Sequence, residues 1–212
     1  MGPLGTDAAG PRWSMTWPDT DGRVQRVIKD ASDVETSPSG WLVLAYRVPR
    51  EPSRLRAGVW RRLKSIGAVY LQNSVAVLPD PTVHERALRS LRKDITELGG
   101  TAHLMRCEVL AGAGEVVASY NAARDEEYEE IVDRCRGFRA EIDKEAAADK
   151  FTYAELEEND EDLTKLRGWF DKVRLRDSLG ARRRAAAEEA LQDCVAALDV
   201  FAEQVYLAED GH

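Results

Sequence analysis

Five cations crowd residues 54–64 of an otherwise acidic chain: Arg54, Arg56, Arg61, Arg62 and Lys64. A guanidinium fork takes phosphate oxygens in pairs, and each neutralised phosphate releases counterions, so cations at this density suit a polyanion surface. Arg47 and Arg50 lie just ahead of the group, and Arg89, Arg92 and Lys93 further along could extend it. The competing reading is a solvated face, or one that docks on acidic helices of this chain or of a partner.

No other chemistry has comparable support. His84 and His103 have no second ligand at metal spacing, and His212 is terminal, so neither a zinc site nor a cofactor is expected. No Gly-x-Ser-x-Gly elbow exists, and no cysteine sits in a catalytic context. Gly112-Ala113-Gly114 matches neither a P-loop nor a dinucleotide fingerprint and reads as a loop. The acidic run Asp125, Glu126, Glu127, Glu129 and Glu130 suits the positive end of a helix rather than a carboxylate pair for catalysis. No enzymatic activity and no small-molecule substrate are expected.

The elements that must hold the cations are legible from periodicity. Trp41–Val48 is a continuous apolar run closed by prolines, a strand buried on both faces. Ser53 can cap a helix with Leu55, Val59, Leu63 and Ile66 on its apolar stripe, Trp60 widening it, and Gly67 ending it in a left-handed conformation. A hairpin follows, from Val69–Leu71 to Ser74–Leu78. Thr82 and Glu85 form a capping box for a helix carrying Val83, Leu88, Leu91, Ile95 and Leu98, stopped by Gly99-Gly100. Thr101–Leu110 makes a fourth strand, with a bulge or an edge position near Arg106.

Strand, helix, strand, strand, helix, strand is the ferredoxin-like split β-α-β order. The expected class is α+β: this domain over residues 41–111, then a helical hairpin or small bundle over 112–212. From Asp125 onward every long signal is helical. One stripe runs from Tyr128 to Ile142, a second helix starts at a Thr152/Glu155 capping box, and a third carries Leu191 to Val205. Residues 1–40, punctuated by Gly, Pro, Asp and Ser, read as a disordered or loosely attached segment despite Trp13 and Trp17.

The net charge of −8 hides an asymmetry: +6 over residues 41–111 and −12 over 112–212. A basic block beside an acidic one fits a polyanion surface, or two faces that dock on each other. No apolar run is long enough for a transmembrane helix and no signal-like stretch opens the chain, so no membrane partner is expected. Cys107, Cys135 and Cys194 are odd in number and far apart, which suits reduced thiols and a cytoplasmic location. Cys135 and Cys194 fall on apolar stripes as small buried side chains.

Trp60-Arg61-Arg62-Leu63-Lys64 with Gly67, the hairpin ending in Leu78-Pro79, and Gly99-Gly100 before the fourth strand together resemble the N-terminal domain of the chromate-resistance protein ChrB. Ala123-Arg124-Asp125 with Tyr128, the Thr152–Trp169 segment and Arg176-Asp177 fit as well, so the resemblance spans roughly residues 41–205. It implies a ferredoxin-like domain plus helices and a role in chromate-responsive transcriptional regulation. Full-length ChrB has a second, C-terminal domain linked to sensing that is absent before His212, so chromate sensing by this chain is not expected. The same core resembles small CRISPR-associated nucleases and the central domain of phenylacetate-operon repressors. Those nucleases place an aspartate where this chain has Tyr46-Arg47, which argues against nuclease activity. The open sheet face needs a cover, either a second copy of the chain or the segment that follows. The expected partners are duplex DNA, contacted by the five cations, and a second copy of the chain, paired through that face or through the helical hairpin.

Overall fold

The computed structural model describes residues 38–210. The reading of residues 1–40, with its two tryptophans, therefore falls almost wholly outside the described residues, as does His212. Nine elements follow in order: β1 (Gly40–Arg47), α1 (Ser53–Ser65), β2 (Val69–Gln72), β3 (Val75–Asp80), α2 (Glu85–Glu97), β4 (Thr101–Cys107), α3 (Ala113–Ala147), α4 (Tyr153–Arg176) and α5 (Arg184–Asp210). The fold is α+β, a four-stranded antiparallel sheet of order β2-β3-β1-β4 followed by three helices. No helix among the described residues is long and apolar enough to cross a membrane.

β1 is central, which explains its unbroken apolar run. Leu42 and Leu44 pair laterally with Leu78 and Ala76 on β3 and with Arg106 and Leu104 on β4. That face packs on Val59 and Leu63 of α1 and on Leu88, Leu91 and Ile95 of α2. β4 is an edge strand in unbroken register with β1, and the irregularity lies between Tyr70 and Gln72 of β2 instead of near Arg106. Arg106 breaks the alternation for another reason: its guanidinium reaches Asp80 (2.6 Å) and Glu85 (3.3 Å).

The opposite face is partly covered by the first turns of α3, where the Tyr120 ring meets Trp41 edge-on at 6.1 Å and Val117 is buried. Thr101, His103 and Met105 on the outer strand stay exposed. α3 then continues into a second core with α4 and α5, built on Tyr128, Ile131, Phe138, Phe170, Val173, Phe201 and their neighbours. Both Cys135 and Cys194 lie in that core as free thiols, with the Cys194 Sγ 3.5 Å from the Cys135 carbonyl.

Several local expectations need correction. α3 starts at Ala113, because Val116, Val117 and Tyr120 carry an apolar stripe ahead of Asp125. Gly112 is its N-cap, Ala113 and Gly114 are helical, and the acidic run lies mid-helix. Ser53 is already helical and Pro52 occupies the cap position without a side-chain bond. Thr82 does not close a capping box. Its hydroxyl accepts from the His84 N–H (3.1 Å), while Glu85 turns to Arg89 and Arg106. The box at Thr152 forms by half: the Thr152 hydroxyl accepts from the Glu155 N–H (3.3 Å), and the Glu155 carboxylate pairs with Lys150.

Candidate nucleic-acid interface

α1 buries Val59 and Leu63 and half-buries Leu55 and Ile66, so one stripe faces the sheet and the cations take the rest of the circumference. At about 100° per residue the five split into three groups. Arg62 lies on the flank toward α2, where its guanidinium pairs with Asp94 and approaches the Ser90 hydroxyl (3.5 Å). Arg54, Arg61 and Lys64 point outward and are exposed. Arg61 Nε donates to the Ala57 carbonyl one turn back (3.3 Å), and the Lys64 ammonium sits 5.5 Å over the Trp60 ring.

Arg56 occupies the other flank with Trp60. Trp60 was expected to widen the buried stripe, yet it is 48% exposed. Its place on the wheel, one step beyond Val59, takes it past the sheet edge to the wall of a cleft. This cleft of about 1090 Å³ lies at the C-terminal end of β1, lined chiefly by Tyr46, Arg47, Arg50, Arg56, Trp60 and Tyr70. The Tyr46 and Tyr70 hydroxyls share a hydrogen bond of 2.9 Å on its wall. Burial, then the Tyr46 hydroxyl beside it, holds the Tyr70 phenol protonated well above the ordinary tyrosine range.

Arg54, Arg56, Arg61 and Lys64, like Arg47 and Arg50, have no ion pair among the described residues. The acidic helices pair their carboxylates elsewhere, as in Arg139–Asp193 (3.0 Å), Lys150–Glu155 (3.2 Å) and Arg183–Glu129 (3.0 Å). On α3, Glu145 is buried against Asn159, whose amide donates to it at 2.6 Å. Burial, as the largest cause, raises its carboxyl above the ordinary range. Within one chain, then, the α1 cations do not dock on the acidic bundle.

What does dock is the end of α1, through residues whose roles periodicity does not reveal. Arg124 of α3, only 3% exposed, donates from Nη1 to the Gly67 carbonyl at 2.8 Å. Arg176, the last residue of α4, donates to the Ser65 carbonyl at 3.2 Å. Glu127 stands between the two guanidiniums, 3.1 Å from Arg124 and 3.2 Å from Arg176. Tyr120 donates to the Arg176 carbonyl, and Tyr128 to Asp177 (3.2 Å), which caps the following turn by accepting from the Gly180 (3.0 Å) and Ala181 (2.9 Å) N–H groups. Two cations thus meet the negative end of the α1 dipole: Arg176 completes a carbonyl of the open last turn, and Arg124 takes the Gly67 carbonyl just past the C-cap. The signal available in sequence was a pair of arginines on otherwise apolar stripes.

Gly67 makes this approach feasible. Its φ of +79° is left-handed, and a Cβ there would stand 2.5 Å from Arg124 Nη1 and 2.9 Å from Arg176 Cβ. The sheet seats α1 through Val59 and Leu63, and the bundle holds its C-terminal end.

Comparison with protein families gives a match over residues 56–212 to the family described as "Protein ChrB, N-terminal". The matched region takes in most of α1, then β2, β3, α2 and β4, and all three bundle helices, while β1 lies ahead of it. No curated protein matches the chain.

Proposed function

Since this chain belongs to the ChrB N-terminal family, which ties it to chromate resistance, we propose that it is a DNA-binding regulatory protein without catalytic turnover. The observation that carries this reading is the row of outward cations on α1 that no carboxylate of the described residues neutralises. Arg54, Arg56, Arg61 and Lys64 contact backbone phosphates, whereas Arg62 is partly committed to Asp94. An overall charge of −8 repels DNA at long range, so binding depends on this one face. Two copies associate over the open end of the sheet around Met105, presenting two such rows to one duplex.

Fluorescence anisotropy with labelled duplex DNA over a salt series tests the phosphate row. Four contacts give a log–log salt slope of about −3.6, at about 0.9 per phosphate. The Arg54→Ala/Arg61→Ala variant should flatten the slope by about 2. Absence of binding at low salt, or a slope indifferent to that pair, rules out the row as the DNA contact.

A further inference from the structure

The cleft beside α1 has a composition that the phosphate row does not need. Arg47, Arg50 and Arg56 converge on it from the end of β1, the connection after it and the first turn of α1, and none has an ion pair among the described residues. A half-exposed indole, Trp60, forms one wall, with Lys64 over its ring. The Tyr46 and Tyr70 hydroxyls use one hydrogen between them, so the second O–H is free to donate into the cleft. Its volume of about 1090 Å³ is on the scale of a small-ligand site, roughly 300–1,000 Å³.

Each part narrows the ligand. Three uncompensated guanidiniums disfavour an apolar molecule and favour a dianion such as a phosphate group. A bare inorganic anion would make no use of the indole wall, whereas a planar ring stacks on it. The tyrosine hydroxyls suit the polar atoms of a sugar or a ring edge. The geometry points to a binding site for a nucleoside phosphate, its phosphate on Arg47, Arg50 and Arg56 and its base against Trp60. This site stands independently of duplex binding, although Arg56 lies in both.

The test uses the full chain labelled with nitrogen-15 and titrated with adenosine monophosphate. The Trp60 indole N–H, identified by its disappearance in Trp60→Phe, should shift saturably. The Arg47→Ala/Arg50→Ala variant, which leaves the Arg56 row member in place, should weaken binding about tenfold or more. Calorimetry should show that Trp60→Phe keeps most of the affinity and Trp60→Ala loses it. Circular dichroism checks that each variant is folded; if the arginine pair is not, the Phe and Ala variants decide the question alone. Inorganic phosphate at equal concentration should not displace the nucleotide. An unmoved indole, or equal binding of phosphate and nucleotide, overturns the proposal. So does a response to a single-stranded oligonucleotide with none to the mononucleotide.

Discussion

Gly67 and Gly99 form a matched pair for testing how the bundle grips α1. Both end a helix in the same Schellman arrangement. Gly67 donates to Lys64 O (3.0 Å) and Ala68 to Leu63 O (3.0 Å), while Gly99 donates to Thr96 O (3.1 Å) and Gly100 to Ile95 O (2.9 Å). Their φ values are +79° and +78°. They differ in their surroundings: at Gly99, which is exposed, nothing lies within 4 Å of the missing Cβ, whereas at Gly67, which is buried, the Arg124 and Arg176 side chains lie within 3.0 Å. Alanine at either position incurs the left-handed backbone strain of about 1–2 kcal/mol. At Gly67 it must also push Arg124 off its carbonyl, and a hydrogen bond to a charged group contributes about 1.5–3 kcal/mol. Gly67→Ala should therefore destabilise by about 2.5–5 kcal/mol and Gly99→Ala by about 1–2 kcal/mol. Urea unfolding followed by circular dichroism and by tryptophan emission, with Trp41 in the sheet core and Trp169 in the bundle, measures both. Two costs within about 0.5 kcal/mol of each other would refute the claim that the arginine approach holds the junction.

Three further outcomes follow from the same contacts. Tyr120→Phe keeps the ring against Trp41 and removes only the bond to the Arg176 carbonyl, so chemical denaturation should register a loss of about 1 kcal/mol. Burial, then the charge of Arg176, lowers the His84 pKa below its ordinary 6.5. The unfolded chain thus binds the proton first, and stability present above pH 6.5 is lost as pH falls through the folded value. Unfolding midpoints of His84→Gln should fall less steeply across that acid window than those of the parent. Met105, 43% exposed on the open sheet face, should be central to self-association. Sedimentation should give a dimer at micromolar concentration and a monomer for Met105→Glu, and a parent monomer refutes the pairing.

The elements were legible where a single local period decides them. Val59 and Leu63, Leu88, Leu91 and Ile95, and the β1 run each mark a buried face that the structure uses. Local end signals were less dependable. Thr152 acts as the N-cap it resembles, whereas Thr82 occupies the same pattern and spends its hydroxyl on a turn instead. The start of α3 was misplaced because Gly112 and Gly114 mask a stripe whose first members, Val116 and Val117, pack on the sheet and not in the bundle. The cleft was not legible at all. It needs the end of β1, the first turn of α1 and the β2–β3 turn to converge, and only the tertiary structure brings Arg47, Trp60 and Tyr70 together.

Charge shows why counting and contact diverge. The +6 and −12 blocks point to opposite surfaces that close on each other, or to a polyanion surface. Beside the apolar packing of Val117 and Tyr120 on the sheet, the charged contact between them instead uses two arginines of the acidic block, Arg124 and Arg176, against carbonyls at and just past the end of the basic block's first helix. A helix end carries about half a negative charge however many arginines its flank bears, so cations from the bundle are the right partners there. Glu127 then screens the two guanidiniums from each other, and no acidic side chain is brought to the outward face of α1. Had the docking followed net charge, α3–α5 carboxylates would cover Arg54, Arg61 and Lys64. Docking through the helix end leaves those three exposed, which is the condition a phosphate-contacting row requires.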